Sequence, residues 1–234
     1  MNRPVGTRPA TTPVHEPGRI ARMAYRVFWW AGRLVTGGYW RLEVHGAERL
    51  PSAGPYVIAP IHRSNLDFFL AGMITKRPVR WMAKSTIFKG GAVDRFLVGM
   101  GGFPVHRERI DRDAIRQAEA HLGAGRPVVI FPEGRRQEGP TVERMFDGPA
   151  FVACRQRVPI VPLGIGGSDR AMPIGSKVIL PRKVVLVIGE PIYPDIPVSG
   201  RVHRSTVAAL SAELQTAIQV VYDESKRLAG VDQL

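Results

Sequence analysis

Short apolar runs alternate with helical periodicities along most of this chain. Runs at 41–45, 56–60, 79–83, 103–105, 127–131, 158–163 and 183–188 have the length and composition of strands. Between them, apolar residues recur at three- and four-residue intervals over 65–76, 86–100, 111–123, 148–156 and 203–228, which predicts helices. This alternation predicts an α/β fold: a single domain with a largely parallel central sheet flanked by helices.

The amino-terminal pattern differs. Residues 1–18 carry four prolines and little apolar content, which predicts a disordered tail. Next, Ile20, Ala24, Val27, Phe28, Ala31, Leu34 and Val35 fall on one helical stripe, and Arg19, Arg22, Arg26 and Arg33 cluster on another face. An amphipathic helix region over 19–40 follows, with Phe28-Trp29-Trp30 at its centre. Such a helix either docks on the core or lies in a membrane interface, and tryptophan beside arginine suits the interface. The sheet-bearing domain is expected over 41–228, with a tail at 229–234.

Charge changes the picture. Lys+Arg is 33 against Asp+Glu 20, a net charge of +13, and 27 of the 33 cations are arginines. A basic surface calls for an anionic partner: nucleic acid, an anionic membrane or a phosphorylated substrate. No zinc-finger spacing, aromatic RNA-binding motif or basic low-complexity tail supports nucleic acid. Cys154 is the one cysteine, so no intrachain disulfide can form and a reducing compartment is expected. No metal-ligand spacing is present. The longest run free of charge and histidine has 12 residues and contains prolines, whereas a membrane span needs roughly 20 apolar residues.

Candidate chemistry gathers after the strands. His62 follows the run 56–60, and Asp67 comes five positions later; Ser64 suits a helix N-cap and Asp67 the third helical position. Arg107 follows 103–105. Phe131-Pro132-Glu133-Gly134-Arg135-Arg136 closes 127–131, where Glu133 either serves a ligand or pairs with a neighbouring arginine. In α/β folds, ligands gather at the carboxyl ends of strands, and His62, Arg107, Glu133 and Arg136 all lie just beyond one. A histidine with a carboxylate on its far nitrogen is the base-and-orienter part of a catalytic triad.

Four ordered blocks carry a family resemblance: His62-Arg63-Ser64-Asn65-Leu66-Asp67; Gly102-Phe103-Pro104-Val105-His106-Arg107; Phe131-Pro132-Glu133-Gly134-Arg135-Arg136; and Val158-Pro159-Ile160-Val161-Pro162. Over about residues 40 to 195 the chain resembles the glycerophospholipid acyltransferases of the 1-acylglycerol-3-phosphate acyltransferase type. It departs from their pattern at Ile61, often Asn in the family, and at Arg135, usually Thr. The resemblance implies acyl transfer from acyl-CoA or acyl carrier protein to the free hydroxyl of 1-acylglycerol 3-phosphate, making phosphatidic acid, without a cofactor or metal. Glycerol 3-phosphate or another lyso-lipid is an alternative acceptor; a nucleic-acid-binding or non-catalytic lipid-binding protein is an alternative of another class. His62 and Asp67 would be catalytic. Arg107 and Arg136, with Arg135, would clamp the acceptor phosphate. Glu133 would bind the acceptor through a glycerol hydroxyl, and Gly134 would allow close backbone approach. A peripheral place on the cytoplasmic face of the cell membrane follows, with an anionic bilayer as partner and no nucleic acid.

Overall fold

The computed structural model describes residues 19–87, 90–91, 94, 98, 101–105, 112–196 and 201–231. The expected tail at 1–18, Arg107, and much of the expected helix 86–100 lie outside the described residues. Among the described residues one sheet has seven strands: β1 (Glu43–His45), β2 (Val57–Pro60), β3 (Arg80–Lys84), β4 (Gly102–Val105), β5 (Val128–Val129), β6 (Ile160–Gly166) and β7 (Val185–Ile188). Each falls within or beside an expected run. Their spatial order is β1-β7-β6-β2-β5-β3-β4. Strands β6, β2, β5, β3 and β4 run parallel. β7 pairs antiparallel with β6, and β1 parallel with β7.

The centre of the sheet is built from residues that tolerate burial on both faces. Every residue of β2 and β6 is buried, as expected for strands covered on two sides. Proline within a strand favours an edge, yet β6, which contains Pro162, is central. The carbonyl of Pro162 accepts the Gly189 N–H just past the end of β7, so the ring sits where strand pairing on that side has stopped.

Among the described residues the named helices are α1 (Arg19–Tyr39), α2 (Asp67–Gly72), α3 (Arg112–Gly123), α4 (Gly148–Gln156), α5 (Ser168–Ala171) and α6 (Arg204–Ala229). α6 lies directly on β6. A Cβ at Gly164 or Gly166 would collide with the carbonyls of Val221 and Ser225, so glycine at both positions lets helix backbone touch strand backbone.

α1 is apolar on two faces. Trp29, Thr36 and Trp40 are buried, and Phe28 meets Phe69 of α2 edge to face at 6.1 Å. Met23, Val27, Trp30 and Leu34 line the opposite face and are exposed, Leu34 at 79%. One face of the amphipathic helix therefore docks on the core, and the other is bare. The carboxyl end of α1 also grips the connection between α5 and β7. The Tyr39 hydroxyl donates to the Ile179 carbonyl at 2.9 Å, and the Trp40 indole N–H to the Leu180 carbonyl at 3.1 Å.

Candidate active site

β2 ends at Pro60, and Ile61 prolongs its pairing by donating to the Leu163 carbonyl at 3.0 Å. The chain then turns inward, placing His62 at the carboxyl edge of the sheet. Its Nδ1 stands 3.1 Å from Asp67 Oδ2. An ionised carboxylate only accepts, so Nδ1 carries the hydrogen and Nε2 keeps its lone pair. The Phe131 ring covers the imidazole at 4.2 Å between centroids. Ring plane and tautomer are both fixed by neighbours.

Asp67 is fully buried. Its Oδ2 also accepts the backbone N–H groups of Arg63 and Ser64, each at 2.6 Å. The helix starts later than expected: Asp67 is its first residue and Leu66 its N-cap, with no side-chain cap bond, so the Ser64 N–H bond closes the turn before the helix instead of capping it. The same carboxylate thus closes the loop and orients the histidine. Oδ1 is buried with no hydrogen-bond partner among the described residues.

Glu133 belongs to the same framework. Its side chain is 1% exposed. Oε2 accepts the His62 backbone N–H at 2.9 Å, and Arg63 Nη1 reaches both oxygens at 2.8 Å. In place of the acceptor hydroxyl that the resemblance implied, both oxygens are engaged internally here, and almost no surface remains. The alternative of pairing with an arginine holds, but the partner is Arg63, seventy residues away, rather than Arg135 or Arg136.

Arg63 is the residue that the sequence did not single out. Its guanidinium also donates to the carbonyls of His62, Gly139 and Thr141, and lies 5.1 Å over the ring of Tyr222. Burial pushes the Tyr222 phenol up to about 12, so it faces Arg63 as a neutral ring. The available signal was the need of any buried glutamate for a cation close by in the fold.

After Glu133 the chain turns at Gly134, whose φ is 67°. A Cβ there would come within 2.8 Å of the Phe146 ring, so the position favours glycine twice over. Arg135 is exposed and Arg136 half-buried. Neither has a hydrogen-bond or ion-pair partner among the described residues, which leaves two guanidinium groups for an anion. A cavity of about 310 Å³ adjoins the motif, lined by Tyr25 and Phe28 of α1, Leu66, Phe69 and Met73 around α2, and Trp81 of β3. Its lining is apolar, which suits a hydrocarbon chain. No cluster of His, Cys, Asp and Glu able to hold a metal occurs among the described residues.

The family described as Acyltransferase matches residues 41–166, from the start of the sheet to the end of β6. The chain belongs to that family. Similar proteins include a chloroplastic 1-acyl-sn-glycerol-3-phosphate acyltransferase of Brassica napus, 28% identical over 159 residues, covering 66% of this chain and 46% of that relative. A 1-acyl-sn-glycerol-3-phosphate acyltransferase of Bacillus subtilis is 30% identical over 154 residues, 65% of this chain and 74% of its own length. The human 1-acyl-sn-glycerol-3-phosphate acyltransferase alpha is 33% identical over 129 residues, 53% of this chain and 44% of that protein. The chain therefore spans less than half of the plant and human relatives. A solved structure described as the 1-acyl-sn-glycerophosphate (LPA) acyltransferase PlsC of Thermotoga maritima superposes with a TM-score of 0.71 at 21% identity, covering 93% of this chain and 85% of that one. That likeness establishes the shared fold. The family match takes in His62, Asp67, Arg107, Glu133 and Arg136, the residues quoted for the resemblance.

Proposed function

We propose that this protein transfers an acyl group from an acyl thioester to the free hydroxyl of 1-acylglycerol 3-phosphate. The observation that carries the reading is the buried Nδ1–H bond from His62 to Asp67, which leaves Nε2 as the base. Nε2 takes the acceptor's hydroxyl proton as that oxygen attacks the thioester carbonyl. The tetrahedral intermediate collapses, the C–S bond breaks, and the imidazolium returns its proton to the leaving thiolate. No acyl-enzyme is needed. Asp67 holds the tautomer and offsets the charge on the imidazolium. Glu133 and Arg63 position the His62 backbone. Arg135 and Arg136, joined by Arg107, take the acceptor phosphate.

The acceptor named by the similar proteins supports 1-acylglycerol 3-phosphate over glycerol 3-phosphate. The apolar cavity beside Asn65 and Leu66 supports an acyl chain held next to the base. The donor is acyl-CoA or acyl carrier protein. No helix among the described residues is long and apolar enough to cross a membrane, so the bare face of α1, with Arg26 and Arg33 beside it, meets the lipid acceptor at a bilayer surface.

Thiol release from acyl-CoA and from acylated carrier protein, with 1-acylglycerol 3-phosphate as acceptor, tests this. Release that depends on the acceptor, with phosphatidic acid as product, is expected. Release with glycerol 3-phosphate alone would move the acceptor assignment. No release with either donor in a folded, membrane-bound protein would leave a non-catalytic lipid binder.

A further inference from the structure

The connection between α5 and β7, residues 172–184, has no role in the chemistry above. Its composition is unusual for a surface loop. Ile174, Val178, Ile179 and Leu180 are all exposed, Val178 at 62%. Lys177 and Arg182 stand among them, and Lys183 at the end of the loop pairs with Glu43 at 2.9 Å. From Arg170 to Gly189 the chain holds four cations and no acid. Contiguous exposed apolar residues of this kind mark a contact surface rather than ordinary solvent exposure.

The loop is also held in shape. Leu180 N–H donates to the Ala171 carbonyl at 2.7 Å, and Ser176 makes a local turn with Val178 through bonds of 3.0 and 3.1 Å. Tyr39 and Trp40 fasten Ile179 and Leu180 to the end of α1. These backbone groups are thus taken up by partners within the protein while the apolar side chains stay bare. At its base, Met172 accepts the Ser64 hydroxyl at 2.8 Å, which ties the loop to the His62–Asp67 turn.

We infer that residues 174–182 form a second contact with an anionic lipid bilayer, apolar tips entering the headgroup layer and cations meeting lipid phosphates. This rests on the interfacial reading of α1. Charge decides the occupant. A second copy of the chain would bring like-charged loops together, which is unfavourable. An anionic bilayer offers both the negative charge and the apolar layer that the loop matches. The two contacts, joined at Tyr39 and Trp40, fix the protein's tilt, with the loop base against the catalytic turn.

Val178→Cys carries the first test. Cys154 is buried, so an environment-sensitive fluorophore attaches at the loop alone. Vesicles of phosphatidylcholine mixed with phosphatidylglycerol should shift its emission to the blue, and pure phosphatidylcholine should do so less. In parallel, Ile174→Glu/Val178→Glu should lower vesicle partition by at least about tenfold. Lys177→Gln/Arg182→Gln should cost about fivefold per charge on anionic vesicles alone. Thermal melts and turnover of a soluble short-chain acceptor should match the parent protein. If Met23→Glu/Leu34→Glu releases the protein while the folded loop variant stays bound, the loop is not a contact and α1 alone is. If the parent protein binds neither vesicle, the interfacial reading of α1 falls and this inference with it. A label shift that appears without lipid as protein concentration rises would assign the patch to self-association and overturn the bilayer as occupant.

Discussion

One nitrogen of Arg63, Nη1, stands 2.8 Å from both carboxylate oxygens of Glu133, and both side chains are almost wholly buried. Through the His62 N–H on Oε2, this pair determines where the base stands. Removing one partner leaves an uncompensated buried charge, so Arg63→Met should destabilise the fold by roughly 3–5 kcal/mol, and Arg63→Met/Glu133→Gln by less. Glu133→Gln alone keeps an acceptor for the His62 N–H. It should lower kcat while leaving both KM values near those of the parent. A large rise in the acceptor's KM instead would return Glu133 to the acceptor site.

His62→Ala should leave the melting temperature close to that of the parent and reduce turnover about 10²–10⁴-fold, the usual worth of a general base. Asp67→Asn should lose both activity and stability. Its carbonyl can replace Oδ2, but its amide hydrogens would then point where Oδ1 lies buried without a partner. An unsatisfied buried donor costs about 1–3 kcal/mol. Urea melts run beside the thiol-release assay separate the two losses.

Arg136→Ala should raise the acceptor's KM far more than the donor's, since its guanidinium has no partner among the described residues. Arg135→Ala, at a more exposed position, should have the smaller effect. Initial rates with each substrate varied in turn decide this; a change confined to the donor would assign the arginine to CoA phosphates.

Gly72 lines the apolar cavity, and only Val79 Cγ2, at 3.8 Å, lies near a Cβ built there. Gly72→Leu should therefore fold and occupy part of the space. The preferred acyl chain should shorten, read as a change in relative kcat/KM across a chain-length series. An unchanged preference would place the hydrocarbon elsewhere.

His121 gives the protein an acid sensitivity remote from the catalytic turn. Burial, aided by Arg80 and Arg126, pulls its imidazole down to about 4 from 6.5. Between those values the unfolded chain binds more protons than the folded one, so stability falls as pH drops through that interval. The contribution is roughly 2–3 kcal/mol, allowing for partial exposure. His121→Gln should lose that much less stability between pH 6.5 and 4 than the parent, measured by chemical denaturation at each pH.

Local pattern made the seven strands and the helices at 112–123, 148–156 and 204–229 legible, because strand and helix periods are written in neighbouring residues. The His62–Asp67 bond was legible too, since both ends sit in one turn. Glu133 was not. Its partner Arg63 is seventy positions away, and only the pairing of β5 beside β2 brings them together. The reversed direction of β7 also depends on crossover geometry that composition does not encode. For α1, periodicity revealed amphipathicity but not that Trp29 faces the core and Trp30 solvent. A deletion through residue 36 would remove core side chains along with any lipid contact, so point changes on the outer face are the cleaner probe.

The glycine-lined seat of α6 on β6 has a consequence in time. Chains emerge from the ribosome amino end first, and His62, Asp67 and Glu133 are made well before Tyr222, whose ring covers Arg63. Gln219, 79 residues after Pro140 and 77 after Val142, both of which it binds, likewise arrives late. The parts of the site exist early, but the guanidinium beneath it gains its cover only when α6 lands. A nascent chain halted before residue 219 should hold Arg63 open to water, and catalytic competence should come only once α6 has been made.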